Sequence, residues 1–145
     1  MTDDEILAAI LLREGGYNDD PTDRGGATHY GITQSTLSLW RGRQVTKADV
    51  QALTVEEAKT IYRAKYLAPF AEAPTTLKPQ LVDIAVLSGV GTARQLWTKA
   101  GNSNVRLFKE RIFHLAKLVQ KDARQSKFIH GWLRRACEFL SDESS

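Results

Sequence analysis

One cysteine, Cys137, in 145 residues excludes an internal disulfide, so the fold must be held by packing. Cys137 lies among Trp132, Leu133, Ala136, Phe139 and Leu140 at helical spacing, which predicts a buried thiol rather than a nucleophile. No long hydrophobic run is present: the apolar stretch from Ile6 to Leu12 is too short to span a bilayer. The opening Thr2-Asp3-Asp4-Glu5 is acidic where an export signal is basic, so no signal peptide and synthesis in the cytoplasm are expected. The only histidines, His29, His114 and His130, are too scattered for a metal motif. The acidic residues near position 20 lack EF-hand spacing, and Gly25, Gly26 and Gly31 lack the Gly-Lys-Ser/Thr ending of a phosphate loop. Repeats and low-complexity tracts are missing too. No metal and no cofactor are therefore expected.

What is there is an ordinary soluble composition, 42% hydrophobic and 26% charged, of a length that suits one domain. A net charge of +3 eases approach to an anionic polymer, a nucleic acid included, and equally suits a merely soluble surface.

The first helix can be read from its ends. Thr2-Asp3-Asp4-Glu5 has capping-box spacing, Ile6, Leu7, Ile10 and Leu11 recur at helical intervals, and Gly15-Gly16 supplies a stop that tolerates a left-handed backbone. Glu14 is then the last helical side chain. It faces the negative end of the helix dipole, which disfavours ionisation, and apolar cover from Tyr17 or a Trp pushes the same way. A glycosidase needs such a proton donor, paired with a second carboxylate that stays ionised.

Asp23, with eight residues between it and Glu14, is the candidate partner. Gly25, Gly26 and Gly31 permit a tight turn or short hairpin that returns the chain past the helix end and lets a polymer approach the backbone. Thr28 is placed to hold a water. Tyr17, Tyr30 and Trp40 offer rings for stacking on sugars, although core packing is the commoner fate of aromatics. Each has a plainer reading: Glu14 as a solvated helix end, and Asp19, Asp20 and Asp23 as Asx-turn residues.

The stretch Glu14-Gly15-Gly16-Tyr17-Asn18-Asp19-Asp20-Pro21-Thr22-Asp23-Arg24-Gly25-Gly26-Ala27-Thr28-His29-Tyr30-Gly31-Ile32-Thr33 resembles the signature of glycoside hydrolase family 108, phage and bacterial N-acetylmuramidases that cleave peptidoglycan. The likeness continues through Val45–Val50 and Thr54–Arg63, and more loosely through Asp83–Ala93 and Phe128–Arg135, which are similar to a peptidoglycan-binding segment. The resemblance implies Glu14 as the catalytic acid. Asp23 and Thr28 carry over by analogy with T4-type phage lysozymes, where eight residues and then five separate Glu, Asp and Thr; here the second gap is four. Tyr17, Gly25, Gly26, Tyr30 and Gly31 are the implied substrate contacts. Departures from the family pattern are Asp19 in place of Asn, Tyr66-Leu67 in place of Tyr-Trp, Leu87 in place of Asn, and a shortened segment from Trp97 to Val105.

On this reading Glu14 protonates the glycosidic oxygen between N-acetylmuramic acid and N-acetylglucosamine, while Asp23 stabilises the oxocarbenium-like transition state or, with Thr28, positions water. Retention and inversion both stay open, because they differ in carboxylate separation, about 5 Å against roughly 6.5 to 9.5 Å. The implied partner is the peptidoglycan glycan strand, with no nucleic acid and no integral membrane segment. The implied setting is a monomeric endolysin held in the host cytoplasm and released through a holin or a phage particle to act on the wall.

The rest of the chain reads as helices. Thr46 and Thr54 open N-cap patterns, Pro69 and Pro74 mark a bend, and helical pattern runs from about Pro79 to Ser88, pauses at Gly89 and Gly91, resumes through Leu107 to Val119, and ends with a helix around Phe128 to Leu140. The expected fold is mainly α: one lysozyme-like domain over residues 1–145, with a catalytic half at 1–70, a helical half at 75–145 and at most a short β-hairpin. Two rival readings remain. Gly31–Arg43 has the look of a helix-turn-helix recognition element, although an acidic glycine-rich loop stands where the preceding helix belongs. The other is a catalytically weak lysozyme fold that binds peptidoglycan or serves a phage particle.

Overall fold

The computed structural model describes residues 1–20 and 26–140, so Asp23 and Gly25 lie outside the described residues. Two compact units divide the chain, Met1–Ala68 and Pro69–Ser145.

The first unit begins with helix α1, Asp3–Glu14. Its capping box is formed: the Glu5 amide donates to Thr2 Oγ1 at 3.1 Å and the Thr2 amide donates to Glu5 Oε2 at 2.7 Å. Ile6, Leu7, Ile10 and Leu11 are buried, and Gly15, at φ 78°, stops the helix where expected. Strands β1, Thr28–His29, and β2, Ile32–Thr33, pair antiparallel with Thr28 opposite Thr33 and His29 opposite Ile32. Tyr30 and Gly31 turn between them with φ of 52° and 75°, the left-handed pair that two-residue hairpins favour.

Thr33 then caps α2, Gln34–Arg41, by accepting from the Thr36 amide. Helices α3, Lys47–Gln51, and α4, Val55–Tyr62, start at Thr46 and Thr54, whose side chains accept from the amides three residues on, as their spacing predicts. Helix α4 packs on α1. A five-residue π-helical turn, Arg63–Leu67, extends α4 and buries Leu67. Leu7, Leu37, Val50, Ala58 and Ile61, each 1% exposed or less, form the core of this unit. Each fully buried aliphatic side chain contributes about 1.5–3 kcal/mol of transfer free energy.

In the second unit, α5, Lys78–Ser88, is buried at every position from Gln80 to Ala85. The pause expected at Gly89 and Gly91 is shorter than read. Gly89 alone, at φ 94°, breaks the helix, and α6, Val90–Ala100, contains Gly91. One helical glycine costs about 1 kcal/mol, which burial of Ala93, Leu96 and Ala100 outweighs. Helix α7 spans Asn104–Lys121, and α8, Ile129–Cys137, stops short of the predicted Leu140.

Asp83 sits in this core. Its carboxylate accepts from Arg111 Nη2 and, at 2.8 Å, from Arg135 Nε. The reading of Cys137 as a buried thiol is corrected: the thiol is exposed, and Ala136, one residue earlier, takes the inward position. Trp97 and Trp132 are half-buried, against Phe70 at 6.2 Å and Phe128 at 5.7 Å between ring centroids. Among the described residues the structure is mainly α, with the hairpin as its only sheet, and no described helix is long and apolar enough to cross a membrane.

Candidate active site

Glu14 occupies the last turn of α1 and is half-buried. The chain then folds back on the helix end. The Tyr30 amide donates to the Gly15 carbonyl at 3.0 Å, and Asn18 and Thr28 exchange amide-to-carbonyl hydrogen bonds of 2.8 Å in both directions. These bonds hold the hairpin turn against the catalytic candidate. A Cβ built on Gly31 would lie 2.9 Å from Glu14 Oε2 and 2.8 Å from the Tyr62 hydroxyl, so at φ 75° a side chain there would be strained and would displace both groups. Tyr62, 4% exposed, reaches in from α4 and donates its hydroxyl to the Tyr30 carbonyl at 2.7 Å.

The structure brings some of the sequence-predicted residues together and leaves others apart. Glu14, Tyr30 and Gly31 come together at the helix end. Tyr17 and Tyr30 meet through a residue that the sequence reading passed over, His29, whose ring stacks on Tyr30 at 4.2 Å and meets Tyr17 edge-on at 6.2 Å. The Val50 carbonyl accepts from His29 Nδ1 at 3.0 Å and fixes this row of rings to α3. Thr28 is half-buried in the hairpin, its backbone bonded on one side to Asn18 and paired on the other with Thr33. Gly26 has φ 70° with open space around its Cβ position. Trp40 lies on α2, partly exposed.

Tyr62 was likewise missed as a site residue. Its hydrogen bond spans 32 positions, and the only local signal is an aromatic in the helical repeat of α4.

A groove of about 420 Å³ runs along α1 and α4, and Glu14 is not among the residues that line it. Ala8, Leu11, Leu12 and Val55 give it an apolar side, and Gly15, Gly16, Tyr30 and Lys59 complete its lining. Leu12 is 86% exposed, two residues before Glu14 and on the other side of the helix from it. Asp19, the departure from the family pattern, directs its charge to Lys47 Nζ at 3.1 Å. No group of three or more His, Cys, Asp or Glu suited to a metal occurs among the described residues.

The helix-turn-helix reading loses its geometry. Gln34–Arg41 is helical, but what precedes it is the β-hairpin rather than a partner helix.

The model of the family described as glycosyl hydrolase 108 matches residues 7–89, more than half of the chain and all of the site just described. The chain belongs to glycosyl hydrolase family 108. Family 108 membership makes it a glycoside hydrolase. Among solved structures, SagA of Brucella abortus is similar over 99% of this chain and 98% of that chain, at 29% identity and a TM-score of 0.73. The mainly α, lysozyme-like fold of this family 108 protein follows. No curated protein matches the chain.

Proposed function

We propose that this family 108 hydrolase is an N-acetylmuramidase that cuts the β-1,4 bond between N-acetylmuramic acid and N-acetylglucosamine, with Glu14 as general acid. The observation that carries this is the enclosure of the Glu14 carboxylate by the Gly31 turn and the Tyr62 hydroxyl at the end of α1. A half-buried carboxyl group at a helix end, set against a glycine turn, is placed to protonate a leaving oxygen. Asp23 is the second carboxylate, stabilising positive charge on the sugar ring or, with Thr28, orienting water. Tyr17, His29 and Tyr30 supply ring faces for sugars, and Gly25, Gly26 and Gly31 let the glycan approach the backbone. Family membership supports peptidoglycan as the substrate.

The biological role we propose is that of a monomeric phage endolysin, released to the wall through a holin or phage particle. Expression inside cells should then leave them intact until a membrane pore is supplied, and lysis without a pore sinks this part of the reading.

The deciding experiment is digestion of purified peptidoglycan by wild type and Glu14→Gln, with mass spectrometry of borohydride-reduced fragments. Reduced muramic acid ends from wild type alone are expected. Wall binding without cleavage by either protein would replace the proposal with a lysozyme-fold binder.

A further inference from the structure

The mild net charge conceals a strong segregation. Residues 1–68 carry eight Lys/Arg against ten Asp/Glu, whereas residues 94–135 carry eleven Lys/Arg against two acids, Glu110 and Asp122. Helix α7 organises part of that excess. At 3.6 residues per turn, Arg106, Lys109, Phe113, Lys117 and Lys121, spaced by three, four, four and four, share one stripe. All five are exposed, while Leu107, Arg111 and Leu115 on the opposite face are buried. Glu110 is the one acid on the outer side. Phe113, in the middle of the cations, is 61% exposed, and Val105 at the start of the same helix is 44% exposed.

The positive field is felt locally. His114, next to the stripe, is held below its ordinary range by burial first, and then by the charges of Lys117 and Lys99. Beyond α7 the pattern recurs, with Phe128 46% exposed and the Lys127 ammonium 5.1 Å from its ring centre.

We propose that the exposed face of α7 is a docking site for a negatively charged phospholipid bilayer. Each Lys or Arg near an anionic membrane surface contributes about 1 kcal/mol, and an aromatic side chain among them enters the headgroup boundary. Phe113 decides between a bilayer and a soluble polyanion: a phosphate polymer neutralises the four cations but leaves the ring in water, whereas a bilayer takes up both. The helix lies along the surface and does not cross it, since its inner face belongs to the protein core.

The test is co-sedimentation of the full chain with phosphatidylcholine vesicles, with and without phosphatidylglycerol, beside a measurement of binding to soluble polyphosphate. Sedimentation only with the anionic vesicles, weakened by salt, is expected. The pair Lys109→Glu with Lys117→Glu should weaken vesicle binding at least about 25-fold, roughly fivefold for each cation lost. Phe113→Ser should weaken vesicle binding roughly fivefold and leave polyphosphate binding unchanged. Both variants should keep the wild-type circular dichroism and hydrolysis of soluble glycan fragments. Equal binding to neutral vesicles, no vesicle binding, or indifference of vesicle binding to Phe113→Ser overturns the proposal; the last outcome reassigns the face to soluble polyanions.

Discussion

Gly31 lies so close to Glu14 that a single added methyl group would come within 2.9 Å of the carboxylate oxygen. The hairpin turn and the proposed acid are therefore one mechanical piece. Gly31→Ala combines a left-handed backbone strain with this collision and with a second one at the Tyr62 hydroxyl. It should destabilise the protein by roughly 1–3 kcal/mol and cut glycan hydrolysis at least about tenfold. Gly42→Ala is the control. Its φ of 70° is similarly strained but nothing lies within 4 Å, so it should lower the melting temperature and spare activity. Equal activity in the two variants would remove the contact from the account.

Tyr62→Phe deletes one hydroxyl and leaves the Tyr30 carbonyl without that donor, at a cost of about 0.5–1.5 kcal/mol. A turn loosened over Glu14 should lower kcat more than it raises KM, measured on a soluble chitooligosaccharide or muropeptide. A pure KM effect would make Tyr62 a substrate contact instead.

Asp83 tests the second unit. Its side chain and that of Arg111 are both 2% exposed, and Arg135 engages the same carboxylate. Asp83→Ala strands buried guanidinium charge and should cost about 3–5 kcal/mol in urea unfolding, whereas the pair Asp83→Leu with Arg111→Met should recover much of that loss. If the double variant is as unstable as the single one, the buried pair contributes more than charge compensation.

Two groups give stability a pH dependence of known sign. Burial, helped by Lys117 and Lys99, lowers the folded pKa of His114 below 6.5. Between that depressed value and 6.5 the unfolded chain binds more protons, so stability falls as pH drops through this window. His114→Gln should flatten that fall. Glu57 is held below its ordinary 4.5, chiefly by the hydrogen bond from Arg41, so it contributes stability above that pH and loses it on acidification. Glu57→Gln should lower stability most above about pH 4.5, and its difference from wild type should shrink as the pH falls below that value. Melting curves across pH for both variants check the assignment.

The sequence showed most clearly the features that depend on near neighbours. The capping box of Thr2 and Glu5, the stop at Gly15 and the caps at Thr46 and Thr54 all concern groups within four residues of each other. Tyr62 and His29 stayed hidden as site residues because their partners are 32 and 21 positions away. Cys137 shows the same limit in a helix. Periodicity placed it in α8, but whether it or Ala136 faces inward is decided by what the helix packs on. Gly91 was read as a breaker since an isolated glycine has no local mark that separates a loop from a packed helix.

The mutual hydrogen bonds of Asn18 and Thr28 close a loop of only nine intervening residues. Closure over so short a span takes on the order of 10–100 ns and little chain entropy. The approach of the hairpin to the end of α1 is thus inexpensive for the newly made chain. The slower event is the arrival of Tyr62 on α4, 32 residues after Tyr30, with the hydroxyl that locks the turn. Until the chain has folded through Tyr62, the turn beside Glu14 lacks the hydroxyl that ties it to α4.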